Sequence, residues 1–348
     1  MSKTEPISTD ALSVRPQRPG QLAWRRFRSN RWAWTGGIYA VVVTLVIVLA
    51  LPFSLSWFDV QDVAGAVRHQ PTFYQVVDYA LGEPALRDHP LGRYFVWAGP
   101  AVHHLAAWWG YDQVGRSLLF RCLLGFVVSL AVGLGAALMA MTIGVGWGAT
   151  AALAGGKLDL IMMRIVDILY GLPYILMVIL LRVALEAPLV GLFGGHGQLA
   201  NVALLIIAVG AVSWLTMARV IRGQVLSLRE RPFIEAARAT GAGGFYILSR
   251  HLLPNLVGPI VVHATLVIPQ AVLQESFLSF LGIGVQPPIP SLGCLAADGL
   301  EAVNTFVGYW WLIVFPCLLL VATLLALNFL GDGLRDAFDP KSRAAQLV

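Results

Sequence analysis

Histidines and one carboxylate in the first third of the chain are the residues best suited to bind a metal ion: His89, His103, His104 and Asp112. Helical zinc sites place two histidines one turn apart, so that both face the same ion. Adjacent histidines instead point to different faces of a helix, and no His-Glu-x-x-His sequence is present. The sequence therefore predicts no metal site and no cofactor bound by this chain.

Polar side chains inside long apolar runs form a second group of candidates. Arg164 and Asp167 lie three positions apart, on one face of a helix, and are predicted to form a structural ion pair. Gln270, Gln274 and Glu275 form a polar patch that should avoid lipid. Two interpretations of this patch stay open, because it could line a pathway or contact a partner protein.

Nucleotide chemistry is not expected of this chain. Gly155-Gly156-Lys157 is followed by Leu158 and lacks the upstream glycine of a phosphate-binding loop. A membrane-embedded enzyme would need a nucleophile and base, or a metal centre, and neither is found at a usable spacing. An ion-coupled secondary transporter could use Glu275 and Asp167 as coupling carboxylates, and that alternative remains.

The amino-acid composition indicates the environment in which these residues lie. Of 348 residues, 57% are hydrophobic and 12% are charged, whereas soluble domains carry roughly 25% charged residues. We therefore expect an all-α protein that crosses a membrane several times. The net charge of +5 does not indicate a nucleic-acid partner, because the basic residues lie in short tracts beside apolar runs.

Windows nearly free of charge predict six transmembrane helices: 32–58, 122–156, 161–185, 199–221, 254–281 and 309–330. The remaining segments are an N-terminal tail at 1–31, an extracytoplasmic segment at 59–117 and a C-terminal tail at 332–348. The transmembrane core spans 118–331 and contains a loop at 222–253. Basic residues are concentrated in both tails and in this loop, which predicts that both termini are cytoplasmic. The aromatic and basic tract at 24–32 also suits an interfacial elbow helix.

The loop at 222–253 contains residues that begin and end helices, which an ordinary connecting loop would not need. Pro232 can begin a helix, and Ile234 to Thr240 continues it until Gly241, which permits a left-handed backbone. Phe245 to Leu253 can form a second short helix, and Pro254 with Asn255 marks the entry to the fifth predicted crossing. The sequence thus predicts two helices joined by a glycine turn.

The residues of this loop resemble the EAA loop of bacterial ABC importer permeases: Glu235-Ala236-Ala237, Gly241, His251 and Pro254. Further similarity to the C-type permease of the oligopeptide, dipeptide and nickel importers covers 24–340. It is carried by His89-Pro90-Leu91-Gly92, Gly115-Arg116, the segment Gln274 to Pro288, Asn328, Gly331-Asp332-Gly333-Leu334-Arg335-Asp336 and Asp339-Pro340.

Two departures from the family pattern lie before the second predicted crossing. An insertion at 93–110 is rich in tyrosine, phenylalanine and tryptophan, and it is interpreted as an interfacial belt or as a surface that touches a binding protein. The family's Gly-Arg-Asp is here Gly115-Arg116-Ser117.

The resemblance implies a type I ABC importer permease fold in the bacterial inner membrane, with the loop acting as a coupling helix. It implies a heterodimer with a second permease, two ATPase subunits that use ATP and Mg, and an extracytoplasmic substrate-binding protein. The implied cargo is di- or oligopeptides, with nickel or peptide-like compounds as the alternative. The contacts to the ATPase are expected at Glu235, Ala236, Ala237, Gly241, His251 and Pro254.

Overall fold

The computed structural model describes Arg28 and residues 30–57, 108–194, 197–303 and 309–338. All regular elements in these ranges are helical, and the one β-bridge there joins Tyr111 to Ser117. His89, His103, His104, most of the aromatic insertion at 93–110 and the tract at 24–27 lie outside the described residues, so the predictions made for them stay predictions. The same holds for Asp339-Pro340.

The helices follow one another with short connections. They are α1 (Arg31–Trp57), α2 (Leu118–Ala154), α3 (Gly156–Tyr170), α4 (Tyr174–Leu192), α5 (Gly197–Arg229), α6 (Pro232–Ala239), α7 (Gly244–Ile247), α8 (Leu253–Phe280), α9 (Leu292–Ala302) and α10 (Trp311–Phe338). A single π-helical turn, Leu248–Leu252, joins α7 to α8, so that Gly244–Phe280 is one continuous helix.

Among the described residues, five helices are long and apolar enough to cross a membrane: Leu118–Ala154, Tyr174–Leu192, Gly197–Arg229, Gly244–Phe280 and Trp311–Ala337. Helix α1 coincides with the first predicted crossing. The all-α, six-helix architecture is therefore confirmed. Three boundaries differ clearly from the sequence prediction, because α5 continues into the loop as far as Arg229, α10 continues to Phe338, and the helix that contains α8 begins at Gly244.

The third predicted crossing, 161–185, is wrong in its position. The structure divides this region into α3 and α4, and only α4 qualifies as a span. Gly171 ends α3, and Pro173, which has no N–H to donate, immediately precedes α4. Apolar residues continue on both sides of this break, so hydropathy alone merged the two helices.

Helices α2 and α5 form the centre of the fold and pack against each other along most of their length. Val132, Ala136 and Val209 are fully buried between them. At Gly148 the two backbones approach so closely that a Cβ atom would lie 2.3 Å from the carbonyl oxygen of Ala218. Any larger residue at this position would force the two helices apart.

The end of the bundle that carries α9, here called the distal end, is fastened by a buried ionic network. The Arg121 guanidinium lies 2.8 Å from Asp112 and 3.2 Å from Asp298. Asp112 also accepts a hydrogen bond from Arg116 Nε at 2.7 Å. This network joins the start of α2 to α9, which fixes the end of the bundle opposite to α6.

Candidate functional site

The short helix α6 is attached to the bundle by one fully buried side chain. Ile234 is 0% exposed and packs among Ala149, Met217, Ile221 and Val225 of α2 and α5. Pro232 occupies the first turn of α6, as predicted, where its missing N–H leaves no intrahelical bond unmade. The predicted helix at Ile234–Thr240 is thus confirmed within a residue or two.

The remaining side chains of α6 face outward. Glu235 and Ala236 are exposed, and Ala237 is half-buried against the same cluster as Ile234. Glu235 lies in the first turn of the helix, where a carboxylate is favoured by the helix dipole. Of the residues expected to touch an ATPase, four are therefore exposed on the surface of this chain: Glu235, Ala236, Gly241 and Pro254.

Gly241 ends α6 in the left-handed region, as the sequence predicted, with φ of +81°. The Gly241 N–H donates to the Arg238 carbonyl at 2.9 Å, and the Ala242 N–H donates to the Ala237 carbonyl at 3.0 Å. A Cβ atom on Gly241 would have no neighbour within 4 Å. The glycine is required by the backbone conformation and not by packing within this chain.

The second helix of the loop and the fifth crossing were predicted as two elements, and the structure joins them in one continuous helix. The chain passes through α7 and the π-helical turn directly into α8, with the Leu253 N–H donating to the Leu248 carbonyl. Pro254 is exposed in the first turn of α8, where a proline is tolerated. His251 is half-buried and lies edge-on to the Tyr246 ring, with centroids 5.7 Å apart. The two rings are therefore in contact within the loop.

Three aromatic residues of this surface were not predicted from the sequence. Phe233, Phe245 and Tyr246 are exposed, and Phe245 is 83% accessible. They flank Gly241 along the chain, and we call Glu235, Phe233, Phe245 and Tyr246 together the loop surface. The signal that could have identified it is the placement of large aromatic residues beside glycines in a segment already known to lie outside the apolar runs.

Two arginines hold the loop end of the bundle together. Arg222 of α5 forms a bidentate ion pair with Asp159 of α3, with both N···O distances at 2.6 Å, and Arg229 donates to the Ala152 carbonyl at the end of α2. The hydrogen bond from Arg222 holds the pKa of Asp159 below its usual value. Such a planar two-point contact fixes the relative orientation of α3 and α5.

The predicted ion pair between Arg164 and Asp167 is wrong. Asp167 instead pairs with Arg219 of α5 at 2.9 Å, and within the described residues no carboxylate lies within ion-pair distance of Arg164. The Arg219 guanidinium also lies 4.1 Å from the centre of the Tyr170 ring. The sequence could not reveal this pairing, because the partner comes from another helix, 52 positions away.

These charged residues line an open cavity of about 610 Å³ between α3 and α5, which we call the charged cleft. Its lining includes Asp159, Arg164, Asp167, Arg219 and Arg222. Three guanidinium groups therefore face two carboxylates, and the cleft has a net positive charge. A cavity of this size is within the range that accommodates small organic ligands.

A second cavity, of about 290 Å³, is bounded by the end of α3, including Tyr170, and by α4, α5 and α8. Gln270 and Gln274, both predicted as part of a polar patch, line it together with Ser213, Thr216 and His263. In the wall of this polar chamber, Gln274 Oε1, His263 Nε2 and the Tyr174 hydroxyl are enclosed without a hydrogen-bond partner among the described residues. Polar groups at this depth are expected to face a pathway or a neighbouring protein and to avoid lipid.

Glu275 does not belong to this chamber, contrary to the prediction that grouped it with Gln270 and Gln274. It is 0% exposed and accepts a hydrogen bond from Ser279 Oγ at 2.7 Å. Glu275 also accepts a longer hydrogen bond from Ser276 Oγ at 3.4 Å, and Ser129 and Ser291 lie in its surroundings. Glu275 is therefore enclosed between α2, α8 and the start of α9 within this chain. Its separation from Gln274 follows from helix geometry, which points adjacent residues in different directions.

Within the described part of the chain, no group of three or more histidine, cysteine or acidic side chains could hold a metal ion. Cys122, Cys294 and Cys317 are all free thiols. The functional features of the described residues are thus the loop surface, the charged cleft and the polar chamber.

Comparison with known proteins places these features in a family. The profile described as binding-protein-dependent transport system inner membrane component matches residues 123–344. A second profile, the N-terminal TM domain of oligopeptide transport permease C, matches residues 18–71. Both matches include helices that the structure shows to be long and apolar.

The chain is 38% identical over 323 residues to the dipeptide transport system permease protein DppC of Bacillus subtilis (strain 168), covering 93% of this chain and 86% of the relative. It is 40% identical over 342 residues to the oligopeptide transport system permease protein OppC of Escherichia coli (strain K12), covering 98% of each. A chain of the MetNI methionine ABC transporter, solved in inward-facing conformations, aligns at 24% identity with a TM-score of 0.49, over 64% of this chain and 98% of that chain. Because the first profile covers more than half of the chain and the relatives align over most of their length, the chain belongs to the inner membrane components of binding-protein-dependent transport systems.

Proposed function

We propose that this chain is the permease subunit of an ATP-driven importer of di- and oligopeptides. The relatives that align over most of the chain are dipeptide and oligopeptide permeases, and this observation carries the proposal for the cargo. The chain forms the translocation path together with a second, non-identical permease. Two ATPase subunits, which bind ATP and Mg, and an extracytoplasmic binding protein complete the complex.

The loop surface is the proposed contact with one ATPase subunit. Glu235 pairs with a basic group of the ATPase, and Phe233, Phe245 and Tyr246 bury their exposed rings in its groove. When ATP binding moves the ATPase, α6 moves with it as a rigid unit. This short helix of eight residues is then packed on one face against the bundle and on the other against the ATPase. Ile234 then carries this motion into α2 and α5.

The orientation that follows places the loop surface, both termini and the charged cleft at the cytoplasmic side. The concentration of arginines on α5, α6 and the tails supports this orientation. The distal end, with α9 and the Arg121 network, then faces the binding protein. A peptide that leaves the binding protein passes the polar chamber first and the charged cleft second.

Co-purification and uptake test the proposal together. An affinity tag on this chain should retain a second permease and ATPase subunits after gentle solubilisation. Proteoliposomes that contain this complex and ATP should accumulate a labelled tripeptide only when the binding protein is present. Recovery of this chain alone would contradict the assembly.

The cargo is tested separately in the same vesicles. Uptake of Ni²⁺ in place of peptide, with the same dependence on ATP and the binding protein, would assign the alternative cargo. Uptake driven by an ion gradient without ATP would instead support a secondary transporter. The burial of Glu275 among serines and the pairing of Asp167 with Arg219 speak against the two carboxylates as freely exchanging coupling sites.

A further inference from the structure

We propose that Arg219 binds the terminal carboxylate of the passing peptide, and that the carboxylate does so by displacing Asp167. This inference rests on the proposed function, and assigns to this chain a specific site for the anionic end of the cargo. The site lies where the polar chamber and the charged cleft come closest through one pair of side chains. Tyr170 lines the chamber, and Arg219, which lines the cleft, has its guanidinium 4.1 Å from the centre of the Tyr170 ring.

Arg219 is the arginine of the cleft that is positioned to exchange its partner. Its pair with Asp167 uses a single N···O contact at 2.9 Å, and the Asp167 side chain is 54% exposed. The neighbouring pair of Arg222 and Asp159 is bidentate, and the Asp159 side chain is 13% exposed. A ligand carboxylate can therefore compete for Arg219 far more easily than for Arg222.

The charge balance of the cleft favours an anion. Because Arg222 and Asp159 neutralise each other, Arg219 and Arg164 face only Asp167 among the charged groups of the lining. A peptide carboxylate has the same chemistry as the Asp167 side chain, so the exchange replaces one carboxylate with another. The stacking of Arg219 on Tyr170 holds the guanidinium at this site while its partner changes.

The exchange also has a mechanical consequence. The Asp167–Arg219 pair joins α3 to α5 across the cleft. When the peptide takes the place of Asp167, this link is released, and the bidentate Arg222–Asp159 pair remains to hold α3 on α5 at the loop end. The peptide would thus loosen the packing of α3 on α5 at the cavity without separating the two helices.

The test compares a peptide that has a free C-terminal carboxylate with the same peptide as its C-terminal amide. The complete complex is placed in proteoliposomes, and kcat/KM for uptake is measured for both peptides. The ratio of the two values is compared between variants. Any preference of the binding protein is common to all variants and cancels in this comparison.

The two partners of the ion pair should change this ratio in opposite directions. Arg219→Gln should lower the preference for the free carboxylate by about tenfold, as expected for the loss of one charge-assisted hydrogen bond. Asp167→Asn removes the competitor and should raise the preference. Arg219→Lys keeps the positive charge and should retain part of the preference for the free carboxylate. This variant replaces Arg219→Gln in the test if the Arg219→Gln complex does not assemble. The control is Glu186→Gln, which removes a carboxylate near an arginine on α4, outside both cavities, and should leave the ratio unchanged.

Several results would overturn the inference. If Arg219→Gln and Asp167→Asn lower the ratio equally, the pair only joins two helices. If neither changes it, the carboxylate passes elsewhere. Failure of the wild-type complex to take up either peptide would instead reject the peptide-import function, so the two failures are distinguishable.

Discussion

The glycine turn after α6 leads to a prediction that separates backbone geometry from surface contact. Gly241 has φ of +81°, and a Cβ atom there would meet nothing within 4 Å in this chain. A substitution therefore acts through the cost of the left-handed conformation, which is roughly 1–2 kcal/mol for an ordinary L-residue. Asparagine and aspartate adopt this conformation more readily, and β-branched residues least readily.

This cost converts into an expected loss of coupling. A penalty of one to two kcal/mol shifts the balance between the observed turn and other conformations by a factor of about 5–30. We expect Gly241→Asn to reduce the number of peptides transported per ATP by less than about twofold. Gly241→Ala should reduce it by about fivefold, and Gly241→Val by more. Gly241→Asp shares the backbone tolerance of asparagine, so its additional deficit measures the effect of a charge on the loop surface.

The assay is the ratio of peptide uptake to ATP hydrolysis in proteoliposomes, with the thermal midpoint of each purified complex as the control for folding. Insertion into the membrane should be unaffected, because Gly241 lies outside the spanning segments. Equal losses for the asparagine and valine variants would refute the backbone explanation and indicate a contact that excludes every side chain. Wild-type coupling in Gly241→Val would refute any role of the turn.

Three further predictions concern the anchoring of the loop and the ends of the bundle. Ile234→Ala, at a fully buried site, should cost about 2–5 kcal/mol and lower uptake per ATP, whereas Ile234→Val should have a small effect on the same ratio. Ser117→Asp should raise the thermal midpoint by about 2–4 °C. The reason is that Ser117 begins α2 without a side-chain cap, and that Nε of Arg121, one turn later, has no partner among the described residues. As the control, Ser117→Ala should leave the thermal midpoint unchanged. Because the pKa of Asp159 is lowered in the fold, its contribution to stability is present above pH of about 4 and is lost as pH falls through the lowered value. Asp159→Asn should therefore lower the midpoint at neutral pH and remove this part of the acid dependence in thermal melts.

Sequence patterns identified the features that depend on local chemistry. Pro232 and Gly241 each impose one backbone conformation, so both ends of α6 were predictable from residue type. The helices that cross the membrane were predictable because each must be apolar over its whole length. Hydropathy has no information about a break within an apolar run, which is why α3 and α4 were predicted as one crossing.

Interactions between distant helices were not predictable in the same way. Asp167 has Arg164 on its own helix, yet it pairs with Arg219, because the packing of α3 on α5 brings that guanidinium closer. Glu275 lies next to Gln274 in the chain, but its direction from α8 places it among serines of three segments. In both cases the partner is selected by tertiary packing, which a single sequence does not reveal.

The close approach of α2 and α5 at Gly148 has a consequence for the stiffness of the transporter. Two helices in backbone contact resist bending at their crossing point and move as one rigid unit. The length of this unit is roughly 50 Å, as given by the 33 residues of α5. A lateral displacement of about 1.5 Å at the loop end would tilt such a unit by about 2°. Little of the displacement would be absorbed by deformation along the way. A small displacement imposed at the loop end is therefore converted into a tilt of the whole helix pair, whereas a flexible pair of the same length would absorb it by bending.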